Sequence, residues 1–268
     1  MLELFPFSFA EFLRLTGKTY PKESLSVKQR SLLLADLNTY LETGGFPLAI
    51  REKDPEIAHA LFQDILYRDI VVRHKLTNVD EVKQIALYLA SNTAKLFSYA
   101  TLQAVSGLKS LSSVKNYLNY YEASYLFYYL KKFDYSVKKQ IMNSRKVYAV
   151  DNAIPNRLGF RFSDNKGRLL ENAVFIELKR RGKEVFYASG KQECDFLVKE
   201  NLEVVEAIQV TRELNAENHK REVGGLAEAM KTFGIPKGTL IVLDNELVTV
   251  DLPESISVIA AHQWFRSG

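Results

Sequence analysis

Leu170-Glu171-Asn172, Glu193-Cys194-Asp195-Phe196-Leu197-Val198 and Ile208-Gln209-Val210-Thr211 are the stretches whose reading decides the fold. Glu171 belongs to an amphipathic run, Leu169–Arg181, with Leu170, Val174, Phe175 and Leu178 at helical spacing. Lys179-Arg180-Arg181 fills its last turn and Gly182 ends it. Cys194–Val198 and Leu202–Val210 read as two strands of a hairpin around Lys199-Glu200-Asn201. One acid therefore stands on a helix, a second on a strand, and a polar pair on the next strand. Residues i and i+2 of a strand share a face, so Gln209 and Thr211 point the same way.

An acid on a helix, an acid on a strand and an acid-x-Lys pair on the following strand is the layout of a metal-dependent nuclease core. Carboxylates give Mg²⁺ the hard oxygen ligands it takes. The ion stabilises charge on a phosphodiester and activates water, which the lysine positions. Glu171 and Asp195 fill the first two positions, but Gln209 stands where an acid is wanted and Thr211 where a lysine is wanted. Gln209 offers a neutral carbonyl oxygen and Thr211 a hydroxyl; neither brings charge. Glu171 and Asp195 would hold a metal weakly, helped by Glu193 or Glu206, although alternation turns Glu206 away from Gln209. Lys191 is the nearest lysine to stand in. Taken singly, Glu171 also reads as an acid that favours its helix dipole, and Asp195 as an edge-strand charge.

The remaining elements continue that order. Val185-Phe186-Tyr187 is a strand, His219–Phe233 a helix, Thr239–Leu243 a buried strand and Ile256–Ile259 one more, before a terminal turn at His262–Arg266. Asp151–Arg168, rich in Asn, Gly, Asp and Arg, reads as a linker. Upstream, Val79–Ala94, Ser98–Val105 and Val114–Ala123 are helices, the last capped by Ser112 or Ser113. The β-prone runs Tyr125–Leu130 and Val147–Val150 follow. Three helices and a two-stranded hairpin is the winged-helix order, whose third helix enters a major groove in helix-turn-helix proteins. Ser112, Ser113, Lys115, Asn116 and Asn119 are its candidate DNA contacts. Between the strands, Lys131, Lys132, Lys138, Lys139, Arg145 and Lys146 face one acid, Asp134, and so form a candidate wing on a phosphate backbone.

Residues 1–75 read as helices: one started by a Ser8/Glu11 capping box, one over Gln29–Thr43 with Leu32, Leu33, Leu37 and Leu41 inward, stopped by Gly44-Gly45-Phe46-Pro47, and one over Asp54–Val72 with Ile57, Leu61, Ile65 and Ile70 inward. Three helices without a sheet of their own look like the lid of something larger.

Composition narrows the rest. At 268 residues, 47% hydrophobic and 25% charged, the chain can bury a substantial core. A net charge of +4 permits contact with nucleic acid without demanding it. One cysteine excludes an internal disulfide framework and fits a reducing cytosol. No apolar run approaches a membrane span and no secretory signal opens the chain, so a cytoplasmic protein with no membrane partner is expected. The four histidines lack metal-ligand spacing, and no G-x-x-x-x-G-K-[ST] loop is present.

With Leu4–Leu13, Leu66–Val71 and Lys146-Val147-Tyr148-Ala149-Val150-Asp151 added, these motifs span almost the whole chain. In their order they resemble the archaeal and bacterial AAA-type ATPases that carry a winged helix and a restriction-endonuclease-like C-terminal domain. The resemblance covers the part after the P-loop domain. It implies an α+β multidomain fold: a helical lid over 1–75, a winged helix over 76–152 and an αβββαβ nuclease-like core over 153–268. It also implies that ATP would be bound only by an upstream domain, which would pack on residues 1–75, with Arg68 or Arg73 as a nucleotide-sensing arginine. The expected function is DNA or protein binding beside a degenerate nuclease-like domain, with Mg²⁺ as the cofactor of any residual site. The alternatives are a Mg²⁺- or Mn²⁺-dependent nuclease using Glu171 and Asp195, and an interaction module of a larger ATPase or a toxin–antitoxin-like complex.

Overall fold

The computed structural model describes residues 3–21, 24–54, 56–159 and 165–267. Ser8 starts helix α1 (Phe9–Leu15): its hydroxyl accepts from Glu11 N at 3.3 Å while the Glu11 carboxylate accepts from Ser8 N at 2.8 Å. A second capping box, Ser26 with Gln29, starts α2 (Val27–Thr43) two residues before the expected position. Leu33, Leu37 and Leu41 are buried there together with Tyr40, but Leu32 is exposed. It precedes that stripe by one residue and is rotated off it by about 100°.

Helices α3 (Pro47–Glu52) and α4 (Glu56–Asp64) follow, and α4 runs on into a π-helical stretch, Ile65–Val72. The inward line is Ala58, Phe62, Leu66, Ile70 and Val71 rather than Ile57, Leu61 and Ile65, which are half-buried. Phe62 claims the core-facing position and shifts the stripe by one residue. Residues 1–75 bury that stripe within this chain. Phe9, Tyr40 and Phe265 pack ring on ring, Arg180 donates to Pro6 O at 2.6 Å, and Arg266 donates to Tyr20 O at 2.9 Å.

The next elements are α5 (Val79–Ser91), β1 (Leu96–Phe97), α6 (Tyr99–Ser106), α7 (Leu111–Ala123), β2 (Phe127–Lys131), α8 (Val137–Met142) and β3 (Arg145–Ala149). They form a three-stranded antiparallel sheet, β1-β3-β2, with Tyr128 opposite Tyr148. The cap of α7 is Ser110, whose hydroxyl accepts from Ser112 N at 3.1 Å; Ser112 and Ser113 lie inside the first turn. The segment between β2 and β3 contains the short helix α8. The expected linker 151–168 is also partly helical: α9 (Ala153–Leu158) is started by the Asp151 carboxylate, which accepts from Ala153 N at 2.8 Å, and α10 (Asn165–Arg180) begins four residues before expected. Residues 160–164 of that linker lie outside the described residues.

Strands β4 (Glu184–Ser189), β5 (Glu193–Glu200) and β6 (Glu203–Thr211) are antiparallel, then α11 (His219–Phe233) crosses over to β7 (Gly238–Val242), followed by β8 (Ile256–Ala260) and α12 (Ala261–Trp264). The sheet order is β4-β5-β6-β7-β8, parallel from β6 onward. Phe196, Val198, Ile208, Val210 and Ile241 pack with Val174 and Phe175 of α10, while Leu197, Ala207, Leu240 and Val242 pack with Val223, Leu226 and Met230 of α11.

The hydrophobic core on the α10 side is continuous from Phe9 to Phe265 and so crosses both expected boundaries, near 75 and 152. The two sheets also meet: Lys132 forms a parallel bridge with Tyr187 of β4, and Phe133 N donates to Tyr187 O at 2.8 Å. Among the described residues, no helix is long and apolar enough to cross a membrane.

Candidate functional site

The run Lys146-Val147-Tyr148-Ala149 forms strand β3, which the apolar core buries on both sides. Alternation puts Lys146 and Tyr148 on one face, and that face meets α10 and β5. Lys146, counted from sequence among the wing cations, is 2% exposed. Its Nζ donates to Glu171 Oε1 at 2.9 Å and Asp195 Oδ1 at 2.9 Å, and lies 2.7 Å from Glu193 Oε1. Two of the three ammonium protons are given to Glu171 and Asp195, and Glu193 completes the charge around it as an ion pair. Burial opposes the charge, but Asp195, Glu171 and Glu193 together hold the Lys146 ammonium well above the usual lysine range.

Glu171 and its neighbour divide the work of fixing β3. Glu171 Oε1 also accepts from Tyr148 Oη at 2.7 Å, and the Tyr148 ring stacks on Phe175 at 4.1 Å. Asn172, fully buried, accepts from Ala149 N at 2.9 Å and donates to Ala149 O at 3.1 Å and Asn152 Oδ1 at 2.8 Å. Burial and the nearby Asp195 push the Glu171 carboxyl up to about 7, against the attraction of Lys146. An acid whose folded value lies above its unfolded one stabilises the fold fully below the unfolded value and loses that contribution as pH rises through the folded one. For Glu171 the window runs from 4.5 to about 7. Glu171→Gln should therefore flatten the pH dependence of the urea midpoint across that window; an unchanged slope would dismiss Glu171 as its source.

The polar pair on β6 is occupied structurally. Gln209 Oε1 accepts from Asp195 N at 3.2 Å and Gln209 Nε2 donates to Glu222 Oε2 at 2.7 Å, which ties β5 to α11 through β6. Thr211 Oγ1 donates to Glu213 O at 2.8 Å. Glu222 is buried, which pushes its carboxyl up, and Arg221 caps its other oxygen at 2.5 Å. Asp195 Oδ2 accepts from Val210 N at 3.0 Å. Lys191, the sequence candidate for the missing lysine, is exposed, and its backbone N–H bonds Glu228 at 3.0 Å; it does not line the cleft. Glu206 accepts from Thr239 Oγ1 at 3.1 Å, away from the cluster.

The structure thus brings Glu171, Glu193, Asp195 and Gln209 together and adds Lys146. The sequence signal for Lys146 was a lysine followed by four apolar residues inside a buried strand, where a solvated cation has no place. Its ammonium stands where the three carboxylates converge, so the donor set does not fit a divalent ion. Among the described residues, no group of three or more His, Cys, Asp or Glu side chains is arranged to hold a metal.

The cluster forms the floor of an open cleft of about 600 Å³. The sequence candidates for DNA contact lie elsewhere. Ser112, Lys115, Asn116 and Asn119 share the exposed face of α7 while Ser113 is half-buried. The Lys115 ammonium lies 5.4 Å from the Tyr99 ring centroid. Lys131, Lys138 and Lys139 are exposed and Lys132 is half-buried. Arg68 and Arg73 are exposed, with Arg68 paired to Asp69 at 3.2 Å.

A domain of unknown function (DUF8612) matches residues 34–165, from within α2 to the first residue of α10. The chain is similar to the uncharacterized protein MJ1544 of Methanocaldococcus jannaschii, 33% identical over 282 aligned positions that cover 98% of this chain and 62% of that protein. It is also similar to an uncharacterized protein of Haemophilus influenzae, 28% identical over 230 positions, 82% of this chain and 55% of that protein. The chain therefore spans roughly six-tenths of the length of the curated relatives it matches. No solved structure matches it.

Proposed function

We propose that this chain is the part of an AAA-type ATPase that follows the P-loop domain, and that it binds DNA through a winged helix beside a nuclease-like core that does not cut. The order α5-β1-α6-α7-β2-β3 supports the winged-helix reading, and α10-β4-β5-β6-α11-β7 supports the nuclease-like one. The observation that carries the loss of cleavage is the Lys146 ammonium, held by Glu171, Glu193 and Asp195 at the place a metal-dependent core would give to its ion. Gln209 and Thr211 are engaged in holding strands and a loop together, so they supply neither a ligand nor a base. Any ATP chemistry would belong to a separate nucleotide-binding domain.

A labelled duplex titrated with the protein in Mn²⁺ and, separately, in EDTA tests this by mobility shift and cleavage. The expected result is a shift in both and cleavage in neither. Cleavage that requires Mn²⁺ and disappears in Asp195→Ala would favour the nuclease instead. Lys138→Glu with Lys139→Glu should weaken binding and reduce the slope of log affinity against log salt by about 0.9 for each phosphate that is no longer neutralised. Unchanged binding would remove the wing.

One observation favours a second reading, a protein partner. Helix α8 buries none of its residues, and Tyr135, Val137, Ile141 and Met142 are 55–82% exposed. Exposed apolar side chains gathered on one short segment mark a protein-interaction surface. Absence of any shift in the duplex titration would give this reading the weight.

A further inference from the structure

The cleft above the Lys146 cluster has a rim of the opposite sign to its floor. On the floor, the Lys146 ammonium faces Glu171, Glu193 and Asp195, and the buried Glu222 lines the same cleft, so carboxylates outnumber the ammonium. Around the mouth stand Lys166 and Arg168 from the first turns of α10, Arg212 from the loop after β6, and Arg221 from α11, against Glu213. Lys166, Arg212 and Arg221 are exposed. Two of these cations have local partners, Lys166 with Glu42 at 3.5 Å and Arg221 with Glu222. The exposed Lys166–Glu42 pair holds its side chain weakly, whereas Arg221 is tied to the buried Glu222 carboxylate. An anion entering the cleft is drawn to the rim and repelled from the floor.

The lining also limits the kind of anion. Among the described residues, its apolar lining is Ala94 and Val210 and includes no aromatic ring. None of these described residues stacks on a base, whereas guanidinium and ammonium groups in a row match phosphates along a strand. We infer that the rim of this cleft is a phosphodiester-binding surface, separate from α7 and the wing, which holds a nucleic-acid backbone above the carboxylates without sequence preference. The inference rests on the reading that the chain meets nucleic acid, and it deepens that reading. It accounts for binding without cleavage in one geometry, because the backbone is stopped at the rim.

The test is fluorescence anisotropy in EDTA with a short labelled single strand and a short labelled duplex, each in two unrelated sequences. Wild type, Arg212→Glu, Lys166→Glu and the Lys138→Glu/Lys139→Glu pair are compared, with thermal melts to verify folding. Each rim variant should weaken binding equally for both sequences and lower the salt slope by about 1. In unsubstituted protein, bound strand should protect Lys166 from acetylation while Lys53, which does not line the cleft, stays reactive. That second readout serves if a variant misfolds. Loss of binding in the wing pair alone, with the rim variants and Lys166 reactivity unaffected, would overturn this inference and leave the wing standing. Loss in neither set, despite binding by wild type, would overturn both surfaces. No binding by wild type to either probe would overturn the nucleic-acid reading itself, and this inference with it.

Discussion

Lys146→Ala should destabilise the protein by about 3–5 kcal/mol, the range for removing one partner of a buried ion cluster. The reason is the company the ammonium keeps. Glu171, Glu193 and Asp195 converge on a side chain that is 2% exposed, and without it the two most buried carboxylates face each other in a low-dielectric site. The loss should depend on pH in a definite direction. Glu171, whose carboxyl is pushed up to about 7 even beside Lys146, goes higher still without that cation, so the deficit is smaller where Glu171 is protonated and grows as pH rises through the range around and above 7. Urea midpoints of wild type and variant across that range measure this. A variant as stable as wild type at neutral pH would remove Lys146 as the tie between β3 and β5. Divalent cations give an independent readout: millimolar Mn²⁺ should leave the wild-type midpoint where EDTA leaves it, and raise that of Lys146→Ala, whose carboxylates have lost their internal cation.

Gly44→Ala is the second substitution expected to act strongly, by more than about 2 kcal/mol. Gly44 closes α2 at φ 74° and ψ −167°, a conformation that favours glycine. A Cβ there would also land on the Asp151 carboxylate. That carboxylate cannot step aside, since it is buried and accepts from Gly45 N at 2.6 Å and Ala153 N at 2.8 Å. Burial pushes Asp151 up to about 6 despite those two bonds. The substitution therefore strains the joint by which α2 is fastened to the start of α9. Gly17 also has a positive φ, 70°, but open space around the position a Cβ would take. Gly17→Ala should cost markedly less in the same denaturation experiment; equal losses would mean that the clash with Asp151 contributes nothing.

The sequence carried the order of the elements and the identity of Glu171 and Asp195 because both are written locally, in capping boxes, alternation and helical stripes. It misplaced what depends on long-range packing. Leu32 and Ile57 look as apolar as Leu33 and Phe62, and only the neighbours across the core decide which line faces in. The linker reading of 151–168 failed because α9 has no side-chain N-cap to announce it, and the Asp151 carboxylate that holds its first N–H also serves Gly45, more than a hundred residues upstream. Lys146 counts in sequence as one of a run of surface cations, since charge counting takes no account of the strand around it. The acids that bind it lie 25, 47 and 49 residues later in the chain. The comparison of Gln209-x-Thr211 with an acid-x-Lys pair points to Gln209 as part of the cluster, but not to the Lys146 ammonium at its centre.

The bridge between Lys132 and Tyr187 bears on how such chains can be inherited. Because the segment after β2 lies along β4, and β3 lends its lysine to β5, the second sheet obtains both a covered flank and its central charge from the first. A recombination event that moved residues 153–268 into another protein would deliver an open strand flank, ready to pair with a neighbour, and a knot of carboxylates without a counterion. The two halves are therefore poor candidates for shuffling as independent cassettes, and selection should keep them on one polypeptide.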